Sequence, residues 1–154
     1  MKGVYFLRKE QLLPVDLLTA WKFFSSPNNL AKITPPEMDF KTLTTFNENA
    51  EIHTGMLIDY KVKPLFGISL FWRTEITEVQ KPYYFIDTQL KGPYRLWEHT
   101  HTFTEKENGV LMQDVVKYQL PLGPLGVLAN ALVVRRKLES LFTFRKAAIE
   151  RIFA

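Results

Sequence analysis

Between residues 56 and 120 apolar residues recur at nearly every second position, the period of a strand with one buried face. Near both ends of the chain the period lengthens to that of a helix. Val4–Leu13 mixes aromatic, aliphatic and charged residues as a first strand, ended by Pro14. Asp16 can then cap a helix carrying Leu17, Ala20, Trp21 and Phe24 at helical spacing. Ser26 and Pro27 start a second short helix through Leu30 and Ile33, which Thr34-Pro35-Pro36 stops. Strand-length runs follow at 40–46, 56–62, 68–79, 83–90, 95–104 and 110–120, separated by Gly, Pro and Asn, so an antiparallel meander is expected. Asn108-Gly109 is its strongest hairpin signal, because both residues accept positive φ.

The last segment, 125–153, carries Val127, Ala131, Val134, Leu138, Leu141, Ala148 and Ile152 at steps of about four and three, with Phe142 and Ile149 beside that seam. This predicts one long amphipathic helix. The expected class is α+β: a curved seven-stranded antiparallel sheet with two short helices after strand 1, its apolar face covered by the terminal helix. Where sheet and helix stand apart, a pocket opens.

Strand parity selects the residues that face it. In 94–103, Trp97, His99, His101 and Phe103 share the face bounded by aromatics, so two imidazoles point inward, where each needs a partner. The hairpin then turns Val110, Met112, Asp114, Val116 and Tyr118 inward on the next strand. Turn length decides whether Asp114 lies opposite Phe103 or His101; His101 with Asp114 is the expected polar pair, as a structural hydrogen bond, a ligand anchor or a general base with its orienting acid. Ile68, Leu70, Trp72, Thr74 and Ile76 face inward, leaving Arg73 and Glu75 to solvent. The parity of Asp87 and Gln89 stays open, since an extra residue within Lys91-Gly92-Pro93-Tyr94 would reverse it. Arg145 falls on the helical stripe that meets the sheet, where a guanidinium must pair, meet a ligand carboxylate, or snorkel to water. Trp21, Phe40, Trp72, Phe85, Trp97, Phe103 and Phe142 either line a pocket or fill a core.

Composition narrows the classes. The 154 residues, 46% hydrophobic and 14% aromatic, suit a single domain spanning 1–154 with a sizeable core. No cysteine is present, which excludes disulfides, thiolate zinc sites and thiol nucleophiles. Dinucleotide, Walker, nucleophile-elbow and His-Glu-x-x-His motifs are absent, against nucleotide-dependent and serine-hydrolase chemistry. His99-Thr100-His101 has chelating spacing, with Asp114 as the plausible third ligand and His53 in a loop, but no metal site is assigned. The four-residue apolar run near the N-terminus is too short for a signal sequence and no run approaches a membrane span, so a soluble cytoplasmic protein without stable membrane insertion is expected. Residues 124–154 hold six Lys/Arg against two Glu, which accounts for the whole net charge of +4. Those cations are spread around the helix and not massed in a stripe, so nucleic acid is not an expected partner.

The phrases Phe24-Ser25-Ser26-Pro27-Asn28-Asn29-Leu30, Ile33-Thr34-Pro35-Pro36, Gly92-Pro93-Tyr94-Arg95-Leu96-Trp97-Glu98-His99-Thr100-His101-Thr102-Phe103 and Leu120-Pro121-Leu122-Gly123-Pro124-Leu125-Gly126 carry a resemblance over essentially the whole chain. The chain resembles the bacterial ligand-binding, polyketide-cyclase/dehydrase-like branch of the SRPBCC superfamily, relatives of START lipid carriers and birch-pollen-type allergens. The resemblance implies a helix-grip fold and a cavity for a hydrophobic small molecule; it does not imply a reaction. The expected ligand-binding set is Trp72, Phe85, Trp97, His99, His101, Phe103, Asp114, Leu138, Phe142 and Arg145, with no cofactor and a monomer or weak homodimer. A cavity of roughly 300 Å³ or more would suit such a ligand. A cyclase or dehydratase is the alternative, with His101 moving a proton, Asp114 orienting it and Arg145 steadying an enolate oxygen. A partner-binding domain is the third class, using the apolar turns Pro64-Leu65-Phe66-Gly67 and 121–126 together with the basic helix.

Overall fold

Ten residues of alternating burial make Val4–Leu13 the first strand, β1. Pro14 ends it, and Asp16 Oδ1 accepts the Thr19 N–H at 2.7 Å to start helix α1 (Leu17–Phe24). The computed structural model describes residues 3–154; Met1 and Lys2, which open the stretch read as lacking a signal sequence, lie outside the described residues. Two 3₁₀ segments follow, Pro27–Ile33 and Pro36–Met38. Then come β2 (Lys41–Thr42), β3 (Leu57–Val62), β4 (Leu70–Gln80), β5 (Tyr84–Lys91), β6 (Leu96–Lys106) and β7 (Gly109–Gln119). The chain closes with α2 (Pro124–Ala129), a π turn (Asn130–Val134) and α3 (Arg135–Ile152).

The seven strands form one antiparallel sheet ordered β1-β7-β6-β5-β4-β3-β2. Three strands are shorter than the sequence predicts, β3 by Met56 alone. The run at 40–46 keeps only Lys41–Thr42 in the ladder, because the Thr44 hydroxyl takes the Asp59 N–H and both Leu43 and Thr44 amides converge on the Asp59 carbonyl. Ile68 stands outside β4 and is exposed. The β6–β7 hairpin turns on Glu107 and Asn108, one residue earlier than expected, since Lys106 pairs with Gly109. Gly109 instead supplies close approach: a Cβ there would sit 2.1 Å from the Leu13 carbonyl oxygen. His101 therefore faces Asp114 in the ladder.

Between β4 and β5 the register slips twice, leaving Leu90 and Thr77 unmatched. The resulting irregularities bend the sheet, while the unbroken pairing of Phe85 with His101 and of Asp87 with His99 turns both toward the helix side. On the outer face Arg73 holds Asp59 through two hydrogen bonds of 2.8 and 2.9 Å, the solvent-side pairing expected of that position.

The C-terminal helix presents a different stripe from the one its sequence suggests. Gly126, Asn130, Val134, Leu138 and Phe142 are buried at steps of four, then Ala148 and Ile149, while Val127 and Ala131 are exposed. The π turn widens the helix there, so residues four apart stay on one face and the seam moves one residue back. Asn130 opens that turn and accepts the buried Tyr118 hydroxyl at 2.7 Å. Along β1, Arg135 bonds the Phe6 carbonyl at 3.3 Å, Gln11 donates to the Lys146 carbonyl at 3.0 Å, and Lys9 pairs with Glu139.

Two apolar clusters fill the space between sheet and helices. One gathers Leu13, Trp21, Phe103, Val110 and Ile149 under α1; the other gathers Trp72, Trp97, Val116, Val134, Leu138 and Phe142.

Candidate functional site

A cavity of about 170 Å³ draws its walls from both clusters. Its volume is below the roughly 300 Å³ expected from the sequence, and close to the engineered 150 Å³ cavities that take up a benzene ring in other proteins. The sheet contributes Trp72, Phe85, Trp97, His99, His101 and Asp114 to it, and the helix contributes Leu138, Phe142 and Arg145. Phe103 does not line it. That ring, 1% exposed, packs against Trp21 and Phe24 in the core beneath α1, two residues past His101 on the same strand. Trp21 also stays in the core, donating its indole N–H to Glu51 at 2.6 Å, whereas Phe40 reaches the cavity.

The polar floor is a four-membered cluster across β5, β6 and β7. His99 Nε2 donates to Asp114 Oδ1 at 2.7 Å, and His101 Nε2 donates to Asp87 Oδ2 at 2.6 Å. Each short bond is diagonal in the ladder, where His99 faces Asp87 and His101 faces Asp114. The facing contacts are longer: His101 Nδ1 lies 3.4 Å from Asp114 Oδ1, and His99 Nδ1 lies 3.9 Å from Asp87 Oδ2. The expected His101–Asp114 pair thus exists as the longer contact, and Asp114 bonds chiefly to His99. Asp87, left open by the sequence, is the residue that sequence reasoning missed.

The rings stack. His99 lies over His101 at 3.7 Å between centroids, and His101 lies over Phe85 at 4.1 Å. Both nitrogens of His101 look at carboxylates, which calls for a proton on each, while only one nitrogen of His99 has a close acceptor. Burial works against ionisation of both aspartates. It is outweighed at Asp114 by hydrogen bonds from His101 and His99, and at Asp87 by the His101 bond and the charges of His99, His101 and Arg145, so both carboxyls sit below their ordinary range. Burial also opposes charge on the imidazoles. At His101 the two aspartates overcome it and raise the pKa; at His99 burial and the His101 cation prevail and lower it. The cluster thus holds two anions and one cation, with the His101 imidazolium resting on the Phe85 face.

Arg145 supplies the second cation from the helix. Burial lowers its pKa, opposed by the charges of Asp114, Asp87 and Tyr60, but a guanidinium stays ionised. Its carbon lies 5.0 Å from the centre of the Phe142 ring. Tyr60, half-buried at the cavity, is driven up and stays a neutral phenol because losing solvent opposes its ionisation. Asp87, His99 and His101 bring one ligand-type atom each to within 4.8 Å of one another. The two imidazole planes are only 23° apart, which directs their in-plane lone pairs side by side and not to a shared point, so the arrangement suits hydrogen bonding better than chelation. His53, exposed in its loop, neither lines the cavity nor joins this group; its Nδ1 lies 3.2 Å from the neighbouring Thr54 carbonyl oxygen.

No protein-family model matches the chain, and no curated protein matches it. Solved structures do. A START superfamily protein from Mycobacterium smegmatis superposes with a TM-score of 0.69 at 15% identity, covering 96% of this chain and 98% of that one. A protein from Rhizobium leguminosarum gives 0.69 at 12% identity over 96% and 95%, and one from Thermus thermophilus gives 0.65 at 14% over 97% and 100%. Sequence identities this low establish a shared fold and leave function to the site.

Proposed function

On the helix-grip fold that this chain shares with a START superfamily protein, we propose that the protein binds a hydrophobic small molecule of about one ring between sheet and C-terminal helix. The carrying observation is the cavity itself: about 170 Å³, walled by Trp72, Phe85, Trp97, Leu138 and Phe142 and floored by a charge-paired polar cluster. Enclosure by such side chains favours an apolar body, and a few fixed polar groups set its orientation.

The test is a panel of one-ring probes such as toluene, indole and phenol, read by thermal denaturation and by native mass spectrometry of freshly purified protein. A probe at 100 times its Kd stabilises the native state by about 2.7 kcal/mol, a rise of about 5–10 °C for a chain of this length. A panel that leaves the midpoint unmoved, with no co-purifying mass, would remove the proposal.

The paired imidazoles favour one second reading, a cofactor-independent cyclase or dehydratase. Both nitrogens of His101 are engaged by carboxylates, so the base in such an enzyme is His99 through Nδ1, which makes no hydrogen bond among the described residues and lies 3.9 Å from Asp87 Oδ2. Turnover abolished by His99→Gln with ligand affinity retained would establish catalysis; unchanged occupancy and no turnover in the parent protein leaves a binder.

A further inference from the structure

One end of the sheet carries apolar side chains that the core does not use. The β3–β4 loop, the β5–β6 turn, the start of β1 and the β7–α2 connection all lie there, since Val62 pairs with Leu70, Arg73 with Lys91, and Gln119 with both Leu96 and Val4. Leu65 and Leu120 pack on one cluster with Trp97 and Val134, which brings the two longer connections together. At their tips Phe66 is 78% exposed and Leu122 is 74% exposed. Ile68 is more than half exposed as well, and so are Leu125, Leu128 and Leu132, spaced three and four apart on one face of the following helix. Both tips hold left-handed backbone at the apolar residue, φ +55° at Phe66 and +71° at Leu122. A glycine adopts that conformation freely, whereas a bulky side chain is strained in it, and burial offsets the strain at neither position.

Charge selects what this end can meet. Segments 62–70, 90–96 and 120–137 contain Lys63, Lys91, Arg95, Arg135, Arg136 and Lys137 and no Asp or Glu. Asp39 lies 3.5 Å from Lys63, and Glu139 lies 3.6 Å from Arg135; the other four cations are exposed and enter no ion pair among the described residues. A second copy of the chain docked here would set like charge against like. The apolar residues protrude at loop tips and along a helix, and none of them lines the cavity. Such projections suit a deformable apolar layer beneath anionic headgroups better than the fixed relief of a protein partner.

We propose that this end of the molecule docks on the surface of an anionic phospholipid membrane, with Phe66 and Leu122 entering the boundary between headgroups and acyl chains and Lys91, Arg95, Arg136 and Lys137 at the headgroup phosphates. No helix among the described residues is long and apolar enough to cross a bilayer, and the contact is with its surface alone.

Flotation with vesicles of phosphatidylcholine, and of phosphatidylcholine with about one third phosphatidylglycerol, tests the proposal at low and high salt. A cation near an anionic surface contributes about a fivefold gain in affinity, so the four unpaired ones should favour the anionic vesicles by about a hundredfold or more, and salt should erode that preference. Phe66→Ser combined with Leu122→Ser should weaken binding by about tenfold or more. Leu18→Ser, at a position 66% exposed on α1, which follows the opposite end of β1, should leave it unchanged. All four substituted or control positions are exposed or lie at loop tips, and circular dichroism checks that each variant is folded. A tryptophan placed by Phe66→Trp should shift its emission to the blue on anionic vesicles. No flotation with anionic vesicles overturns the proposal, as does equal flotation of the parent and the Phe66→Ser, Leu122→Ser protein. A dimer in sedimentation velocity that this double variant dissociates would assign the surface to a second copy instead.

Discussion

Replacing Asp114 by Asn keeps the shape of the side chain and removes one of two buried anions. The carboxylate is 5% exposed, accepts the 2.7 Å bond from His99, and faces His101 Nδ1 at 3.4 Å. Without it the His101 cation keeps Asp87 alone, and the neutral set formed with Arg145 becomes a buried excess of one positive charge. Removing one partner from a buried pair costs about 3–5 kcal/mol, since the remaining charge is left uncompensated. That is a large part of the about 5–15 kcal/mol separating native from unfolded domains. With a urea m-value near 2 kcal/mol/M, the midpoint should fall by roughly 2 M at unchanged slope. The control is Asp59→Asn, which breaks the part-exposed pair with Arg73 and should cost no more than about 1 kcal/mol. Equal midpoints for the two variants would refute the argument, because they would mean that the Asp114 site is as well solvated as the sheet's outer face.

Other perturbations follow from the same geometry. Asp87 and Asp114 are held below 3.8 and His99 below 6.5, so the unfolded chain binds more protons on the acid side and stability falls there. His101 is held above 6.5, so its contribution is present below 6.5 and lost as pH rises through the folded value. The four groups together should give a stability maximum near pH 6.5 in a melting series, with the alkaline decline removed in His101→Gln; a monotonic rise through pH 8 in the parent protein contradicts this. Phe103→Ala should lower stability by about 3–5 kcal/mol, as for any large buried aromatic, yet leave probe affinity unchanged because that ring lies outside the cavity. Gly109→Ala drives a Cβ against the Leu13 carbonyl and should destabilise more than Gly67→Ala, which meets no atom within 4 Å and carries only the cost of φ +66°, about 1 kcal/mol. Matching denaturation midpoints for these two would count against the close approach.

Periodicity made the architecture legible: β1, α1, the inward face of β6 and the facing residues of β7 lie where alternation and capping residues put them. What local pattern could not settle was register. The unbroken β5–β6 ladder, with Asp87 opposite His99 and Phe85 opposite His101, decides that Asp87 turns inward, and nothing within β5 announces that register. For the same reason the histidine partners are diagonal: the ladder sets which residues face, and side-chain reach then selects the shorter bond. The terminal helix differed because its sequence was read at a uniform pitch, whereas the π turn at Asn130 shifts the buried stripe to Gly126 and Asn130. Phe103 shares its face with the imidazoles, but same-face parity cannot show where along a strand the packing closes.

The side-chain traffic along β1 has a consequence for behaviour at high concentration. A ten-residue outer strand would normally offer a row of backbone groups onto which another chain could zip. Here Arg135 already occupies the Phe6 carbonyl, with Gln11 and Lys9 tying the same margin to α3, and the opposite margin ends in just two residues of β2. Two residues make a poor template on the β2 flank, and on the β1 flank the ties to α3 interrupt the margin that an added strand would have to follow, which works against growth by strand addition into larger aggregates.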